Sequence, residues 1–506
     1  MKKSFRHKCW LSIPFVFLIL CLTYFFWRFL PNQMIRGDGY VYLVQSFRDT
    51  YTSSLPVRLL SFDISPAILS WPLVKSFGLN ISAYYNVALF FMLVINMAFY
   101  YLALIIFKNK FVATITTLIF ATNYIGQWEM YASHMYAFFM ERIPLMLLLI
   151  PSLIFLHLFL EKKQRKCYPI SLALYFLGIG IAHWGVIFSA PYFLYPFFWY
   201  LFNNRKKIWL GVKVGLPYLL ISGLFVGLQF WKYGGYGPSD WTFLGFLLHP
   251  AKYHYFADML RQLVYWSEFP VILIGFKRFV GYLLDGQLVG PIYNGDPFSL
   301  LNVPNAKMIT PWIISIYFLL SVYLYSRLPK FRTLLLTVIF GAGTIFFLNA
   351  YFGQYIIASQ AGVNRYLYLP TYLLSLFWGL VFYGFFWRFN NRARKLFGIL
   401  LLIIYLDMNY FLIDRTYAAN ADYLSPTKII YTAIVHEFPR WKKGTVVVVS
   451  PLKYFGSYEV QFTNDQLGKG VVRFFDDDEF LNQKFDKKTK IVRMRYDLGC
   501  SCVLIR

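Results

Sequence analysis

Asp38 lies between two glycines in Arg36-Gly37-Asp38-Gly39-Tyr40-Val41-Tyr42, directly after the first apolar run of the chain. A carboxylate is costly to place at the edge of hydrocarbon, and flanking glycines let the backbone come close to a ligand. The chemistry open to such a group is general base catalysis on a hydroxyl at the outer side of a membrane. The plainer reading is that Asp38 only caps a helix beginning near Tyr40. Glu141, His183 and Arg365 are the other ionisable groups at the outer edges of apolar runs. Glu141 and its neighbour Arg142 could equally form an interfacial ion pair, and His183 could hydrogen-bond a carbonyl of its own hairpin. Arg365 opens an apolar aromatic run, where an unpaired guanidinium is unfavourable. A phosphate would satisfy it bidentately, although an arginine at a span end also snorkels to headgroups. Tyr366 follows Arg365 and shares that candidate phosphate site, and His134 and Tyr40 are candidates for lining the site. Most other rings near the run ends belong to the interfacial aromatic belt.

These groups need a scaffold, and composition says which kind. The 506 residues are 58% hydrophobic and 14% charged, which excludes a soluble globular protein and matches a polytopic membrane protein. A net charge of +26 would point to nucleic acid in a soluble chain. Here the excess sits in short loops between apolar runs, so no nucleic-acid partner is expected. Cys9, Cys21 and Cys167 lie in or beside those runs and Cys500 and Cys502 near the C-terminus, a pattern that gives neither a disulfide framework nor a zinc site. No small-residue cleavage site follows Leu30, so the first run reads as a retained span.

A helix needs about 20 apolar residues to cross hydrocarbon, and that length picks out eleven spans. They are 11–30, 84–107, 111–126, 143–160, 168–184, 186–202, 208–230, 309–326, 333–351, 366–387 and 396–413. With the N-terminus inside, the inner segments carry 20 Lys and Arg against Glu161 alone, as the positive-inside rule requires. The outer side then holds four loops, 31–83, 127–142, 231–308 and 352–364, and the tight hairpin Ala182-His183-Trp184-Gly185 between spans five and six. In the first, Tyr40 to Asp49 reads as an amphipathic helix and Ser61 to Gly78 as an apolar, proline-punctuated stretch along the membrane surface. The longest, Trp231 to Met308, has the length of a loop that covers a site.

After residue 413 the charges become mixed. Tyr423 to Phe438 reads as a helix started by Ser425-Pro426, Thr445 to Ser450 as a β-branched strand, and Cys502 to Ile505 as another. The expected domains are therefore a membrane domain, 1–413, and a small α/β appendage, 414–506, outside the membrane. The chain has no Walker loop, no Gly-x-Ser-x-Gly and no His-Glu-x-x-His. Asp476-Asp477-Asp478-Glu479 could attract a divalent cation but reads more simply as a solvated turn.

An acidic residue straight after span one, many further spans and an outer C-terminal appendage together resemble the GT-C class of integral-membrane glycosyltransferases. Asn364-Arg365-Tyr366-Leu367-Tyr368-Leu369-Pro370 is similar to the Glu-Arg-x-Leu-Tyr-Leu-Pro segment of the transmembrane O-mannosyltransferases and their bacterial relatives, with Asn364 where those have Glu. The likeness covers the layout of the membrane part and not the long loop or the tail. It implies a GT-C-like fold in a bacterial cytoplasmic membrane and a polyprenyl-phosphate-sugar donor. The acceptor would be a lipid-linked glycan or a protein hydroxyl, and the transfer inverting. By the same resemblance Asp38 is the base, Arg365 with Tyr366 holds the donor phosphate, and Glu141 is a second acidic residue for acceptor positioning or metal binding. The absence of Asp-x-Asp in the first loop gives no support for a metal cofactor. A surface-polysaccharide polymerase or ligase would instead use Lys252, Arg261, Lys277 and Arg278 of the long loop. A lipid-linked-sugar flippase would show paired halves, which the sequence lacks.

Overall fold

In hydrocarbon every backbone polar group must find its partner within the protein, so uncharged apolar runs fold as helices. In the computed structural model, described residues are 13–29, 66–124, 143–181, 188–233, 306–352, 371–389, 391–450, 460, 463–468, 472–476, 480–497 and 499–505. They form twelve α-helices: α1 Ile13–Phe29, α2 Pro66–Phe77, α3 Ile81–Phe107, α4 Lys110–Thr122, α5 Ile143–Lys162, α6 Cys167–Ile181, α7 Ser189–Asn203, α8 Ile208–Tyr233, α9 Ala306–Arg327, α10 Arg332–Phe352, α11 Thr371–Phe382 and α12 Arg392–Glu437. A helix lies on each of the eleven apolar runs. Four described stretches are long and apolar enough to cross a membrane: Ala83–Phe107, Ile143–Lys162, Arg205–Leu228 and Arg392–Asp414. A fifth arises if Pro311–Arg327 and Pro329–Ile345, bent by 113° at their junction, count as one broken span. Large apolar side chains stand exposed on these helices, among them Ile13, Trp209, Leu220, Trp312, Phe318 and Leu396, as expected of surfaces facing lipid.

The described residues fall into two units, those within Met1–Phe26, Phe91–Trp128 and Arg142–Arg415, and those within Trp27–Phe90 and Thr416–Arg506. In the first unit five short basic turns join successive helices. In the turn from α3 to α4, the Asn109 side chain accepts from the N–H groups of Phe111 and Val112, capping α4. These turns gather at one end of the unit. Phe107 packs on Phe331, centroids 5.5 Å apart, and Phe111 stacks on Trp387 at 4.3 Å. Lys330 Nζ donates to the Tyr383 hydroxyl at 2.8 Å, Trp199 Nε1 to Glu161 at 3.0 Å, and Phe202 meets Tyr325 edge-on at 6.2 Å.

In the second unit Gly78 ends α2 with φ +51°, a left-handed cap that glycine adopts without strain. The Tyr84 hydroxyl donates to the Gly78 carbonyl at 2.8 Å and fixes the corner into α3. The C-terminal part of this unit is a four-stranded sheet, β1 Thr445–Ser450, β2 Val472–Asp476, β3 Ile491–Asp497 and β4 Cys502–Ile505, in the order β2-β1-β3-β4. β1 runs parallel to β2 and β3, and β4 is antiparallel to β3. Val446 to Val449 are buried on both faces of β1, as a central parallel strand requires. The Asn464 side chain accepts from the Phe474 N–H and donates to its carbonyl, each at 2.7 Å, so the edge strand β2 has partners for that residue. At the end of α12, hydrogen bonds from His436 and then Arg440 hold the Glu437 carboxyl below its ordinary range.

Two local expectations are corrected. Tyr423 to Phe438 is no separate helix, because α12 runs unbroken from Arg392 to Glu437 with Pro426 inside it. And Cys500 and Cys502, in a cysteine pattern that did not read as a disulfide framework, close a disulfide at the β3–β4 turn, where the Gly499 N–H donates to Asp497 Oδ1 at 2.7 Å.

Candidate functional site

Asp38, Tyr40, His134, Glu141, His183, Arg365 and Tyr366 all lie outside the described residues. So does the expected amphipathic helix Tyr40 to Asp49, and of the acidic run only Asp476, the last residue of β2, is inside. What is described is the scaffold to which three of these segments attach. Glu141 precedes α5 by two residues, His183 follows α6 by two, and Arg365 precedes α11 by six.

Those helix ends meet. Gly178 of α6 faces α5 so closely that a Cβ there would lie 3.4 Å from Leu148 Cβ and 3.7 Å from Leu145. Phe188, the residue before α7, stacks on Tyr372 in the first turn of α11 with centroids 5.8 Å apart. Pro191 of α7 sits against Gly341 of α10, where a Cβ would meet the proline ring at 3.0 Å. The Tyr192 hydroxyl donates to the Leu149 carbonyl and ties α7 to α5. The first unit thus has a polarity: the ends of α5, α6, α7 and α11 that lead to the candidate segments are opposite the ends that carry the basic turns.

A buried polar network holds these helices in register. The Ser152 hydroxyl of α5 donates to the Ser171 carbonyl of α6, and the Ser171 hydroxyl donates back to the Ser152 carbonyl, each at 2.7 Å. With both serine protons so committed, the Tyr218 hydroxyl of α8 donates to Ser171 Oγ at 2.7 Å. Tyr175 and Ser222 make a further bond at 2.7 Å between α6 and α8. Small and hydroxylated residues are the usual adhesive between helices in lipid, where no hydrophobic force drives association. Ser171→Ala leaves the Tyr218 hydroxyl buried and unpaired, so it is expected to cost about 1–2 kcal/mol. Ser171→Ala/Tyr218→Phe, which removes both polar partners, should melt at a higher temperature than Ser171→Ala alone in detergent.

No family model, no characterised protein and no solved structure matches the chain.

The structure adds three polar residues that the sequence reading passed over. Asn409 Oδ1 of α12 accepts from the Tyr124 N–H at 2.9 Å, securing the chain just beyond α4. Asn96 of α3 is 1% exposed, and neither its amide nitrogen nor its amide oxygen has a partner among the described residues. The Tyr372 hydroxyl is likewise buried without a partner among the described residues. It borders a cavity of about 30 Å³, room for a water molecule, together with Thr337, His157 and Tyr195. The signal for Asn96 and Asn409 was an amide deep inside an apolar run. Among the described residues no three His, Cys, Asp or Glu side chains come together.

Proposed function

We propose that the chain is a GT-C-like glycosyltransferase that crosses a bacterial cytoplasmic membrane eleven times, N-terminus inside and C-terminal α/β part outside. It moves a sugar from a polyprenyl-phosphate-sugar to an acceptor hydroxyl at the outer face. The observation that carries this reading is the polarity of the helical unit. The segments with His183 and Arg365 attach at the end opposite the basic turns, which the positive-inside rule puts in the cytoplasm.

The reaction is a single inverting displacement. Asp38 takes the proton of the acceptor hydroxyl as its oxygen attacks the anomeric carbon. The bond from that carbon to the phosphate oxygen breaks, and polyprenyl phosphate leaves with the electron pair. Arg365 binds the phosphate and stabilises the charge that grows on it, which is electrostatic stabilisation realised in the transition state. Tyr366 supports the phosphate, Glu141 positions the acceptor, and His183, His134 and Tyr40 line the site.

The experiment offers purified protein in nanodiscs a panel of labelled polyprenyl-phosphate sugars, with and without divalent cation. Transfer or slow hydrolysis of one donor is expected. Folded protein that neither turns over nor binds any donor would sink the proposal in favour of a polymerase or a flippase.

A further inference from the structure

From the basic end of the first unit toward its middle, α9, α10 and α11 leave an apolar groove of about 530 Å³, lined among others by Phe318, Val322, Tyr325, Phe340, Gly343 and Phe377. That volume is in the range of ligand pockets, roughly 300–1,000 Å³. Phe318 is 65% exposed and Phe340 53%, so the groove opens outward along its length rather than into the core. Its end is cationic. The Arg332 guanidinium lies over the ring of Tyr325, 4.5 Å from its centroid, and Arg332 Nε donates to the Tyr325 carbonyl at 2.9 Å. Arg327 and Lys330 belong to the same turn, and Arg388 Nη1 donates to the Arg327 carbonyl. None of these four cations is paired with a carboxylate among the described residues.

We infer that this groove is a binding site for one anionic phospholipid. An acyl chain lies along Phe318, Val322 and Phe340, and the phosphate is held by Arg332 with Arg327, Lys330 and Arg388. Basic pockets between helices on the cytoplasmic side are the places where anionic headgroups bind. Charge complementarity selects the occupant. A polyprenyl phosphate has the same chemistry, a phosphate on a long apolar chain, but the donor phosphate site proposed at Arg365 is on the segment that leads into the start of α11, and the basic turn follows the other end of that helix. The inference is independent of sugar transfer and stands or falls without it.

The test is thermal unfolding of the full-length protein in detergent, titrated with phosphatidylglycerol, with phosphatidylcholine of the same acyl chains, or with a polyprenyl phosphate. Two variants separate headgroup from chain. Arg332→Ala removes the guanidinium at the groove's end. Gly343→Phe fills the groove, and a side chain can be added there without a clash because a Cβ at Gly343 meets nothing within 4 Å. The expected result is saturable stabilisation by phosphatidylglycerol and not by phosphatidylcholine, with the apparent affinity falling about tenfold in each variant. Equal effects of the two phospholipids overturn the proposal. So does stabilisation that survives in Gly343→Phe, which would mean a diffuse surface charge effect, and so does a polyprenyl phosphate that stabilises where phosphatidylglycerol does not.

Discussion

Asp38→Asn is expected to lower sugar transfer by about 10²–10⁴-fold while donor binding changes little, because general base catalysis contributes about that much. Asparagine keeps the size of the side chain and its ability to cap a helix but cannot take a proton. Wild-type rates in Asp38→Asn would therefore return Asp38 to a capping role. Arg365→Ala is expected to fail differently. It should lose donor affinity and turnover together, by about 10²–10³-fold, because in the proposed reaction the guanidinium would meet the phosphate in the ground state and more charge in the transition state. Arg365→Lys should recover only a small part, since an ammonium cannot make the bidentate contact. The measurement is the separate determination of kcat and KM for the donor found in the panel. A KM change alone in Arg365→Ala would leave the arginine as a docking residue.

Gly211→Leu and Gly215→Leu are each expected to cost about 3 kcal/mol or more, enough to deplete monodisperse protein on extraction. α7 and α8 approach so closely at these glycines that backbone touches backbone. A Cβ at Gly211 would lie 2.8 Å from the Pro196 carbonyl oxygen and 3.0 Å from Phe197 Cα. At Gly215 it would lie 2.9 Å from the Phe193 carbonyl oxygen and 3.0 Å from Phe193 Cα. Backbone atoms cannot rotate away as a side chain would, so the helices must separate and give up the packing that holds them together in lipid. Gly223→Leu and Gly227→Leu on the same helix are the control. A Cβ at either meets nothing within 4 Å, and leucine forms helix better than glycine by roughly 0.8 kcal/mol, so these variants should extract normally. Equal behaviour of the two pairs, judged by size-exclusion profile and melting temperature, would mean that the contact between α7 and α8 is not close.

The helical content, the basic turns between helices and the strands Thr445–Ser450 and Cys502–Ile505 were legible in the sequence alone. Each is a local property: a long apolar run has only one way to satisfy its backbone in hydrocarbon, and a β-branched run of strand length prefers a pleated surface. Local rules failed where continuity depended on a longer stretch. Ser425-Pro426 looks like a helix start, yet α12 passes through it with Pro426 inside. The closed Cys500–Cys502 bond likewise follows from the β3–β4 hairpin, which brings two near neighbours round a turn, and spacing alone carries no such information.

Residue types nominated Asp38, Glu141, His183 and Arg365, because ionisable groups at apolar edges are rare and costly. Only the tertiary structure decided that the helix ends leading to His183 and Arg365 meet, through Phe188 on Tyr372, and that the basic turns meet at the other end. It also decided which glycines are contacts. Gly211 and Gly215 share their spacing with Gly223 and Gly227, but only the first pair faces another backbone. Which face of a uniformly apolar helix packs against protein and which meets lipid is not written in its hydrophobicity. It is settled when the neighbouring helices dock, and the sequence determines the parts while their contacts determine the arrangement.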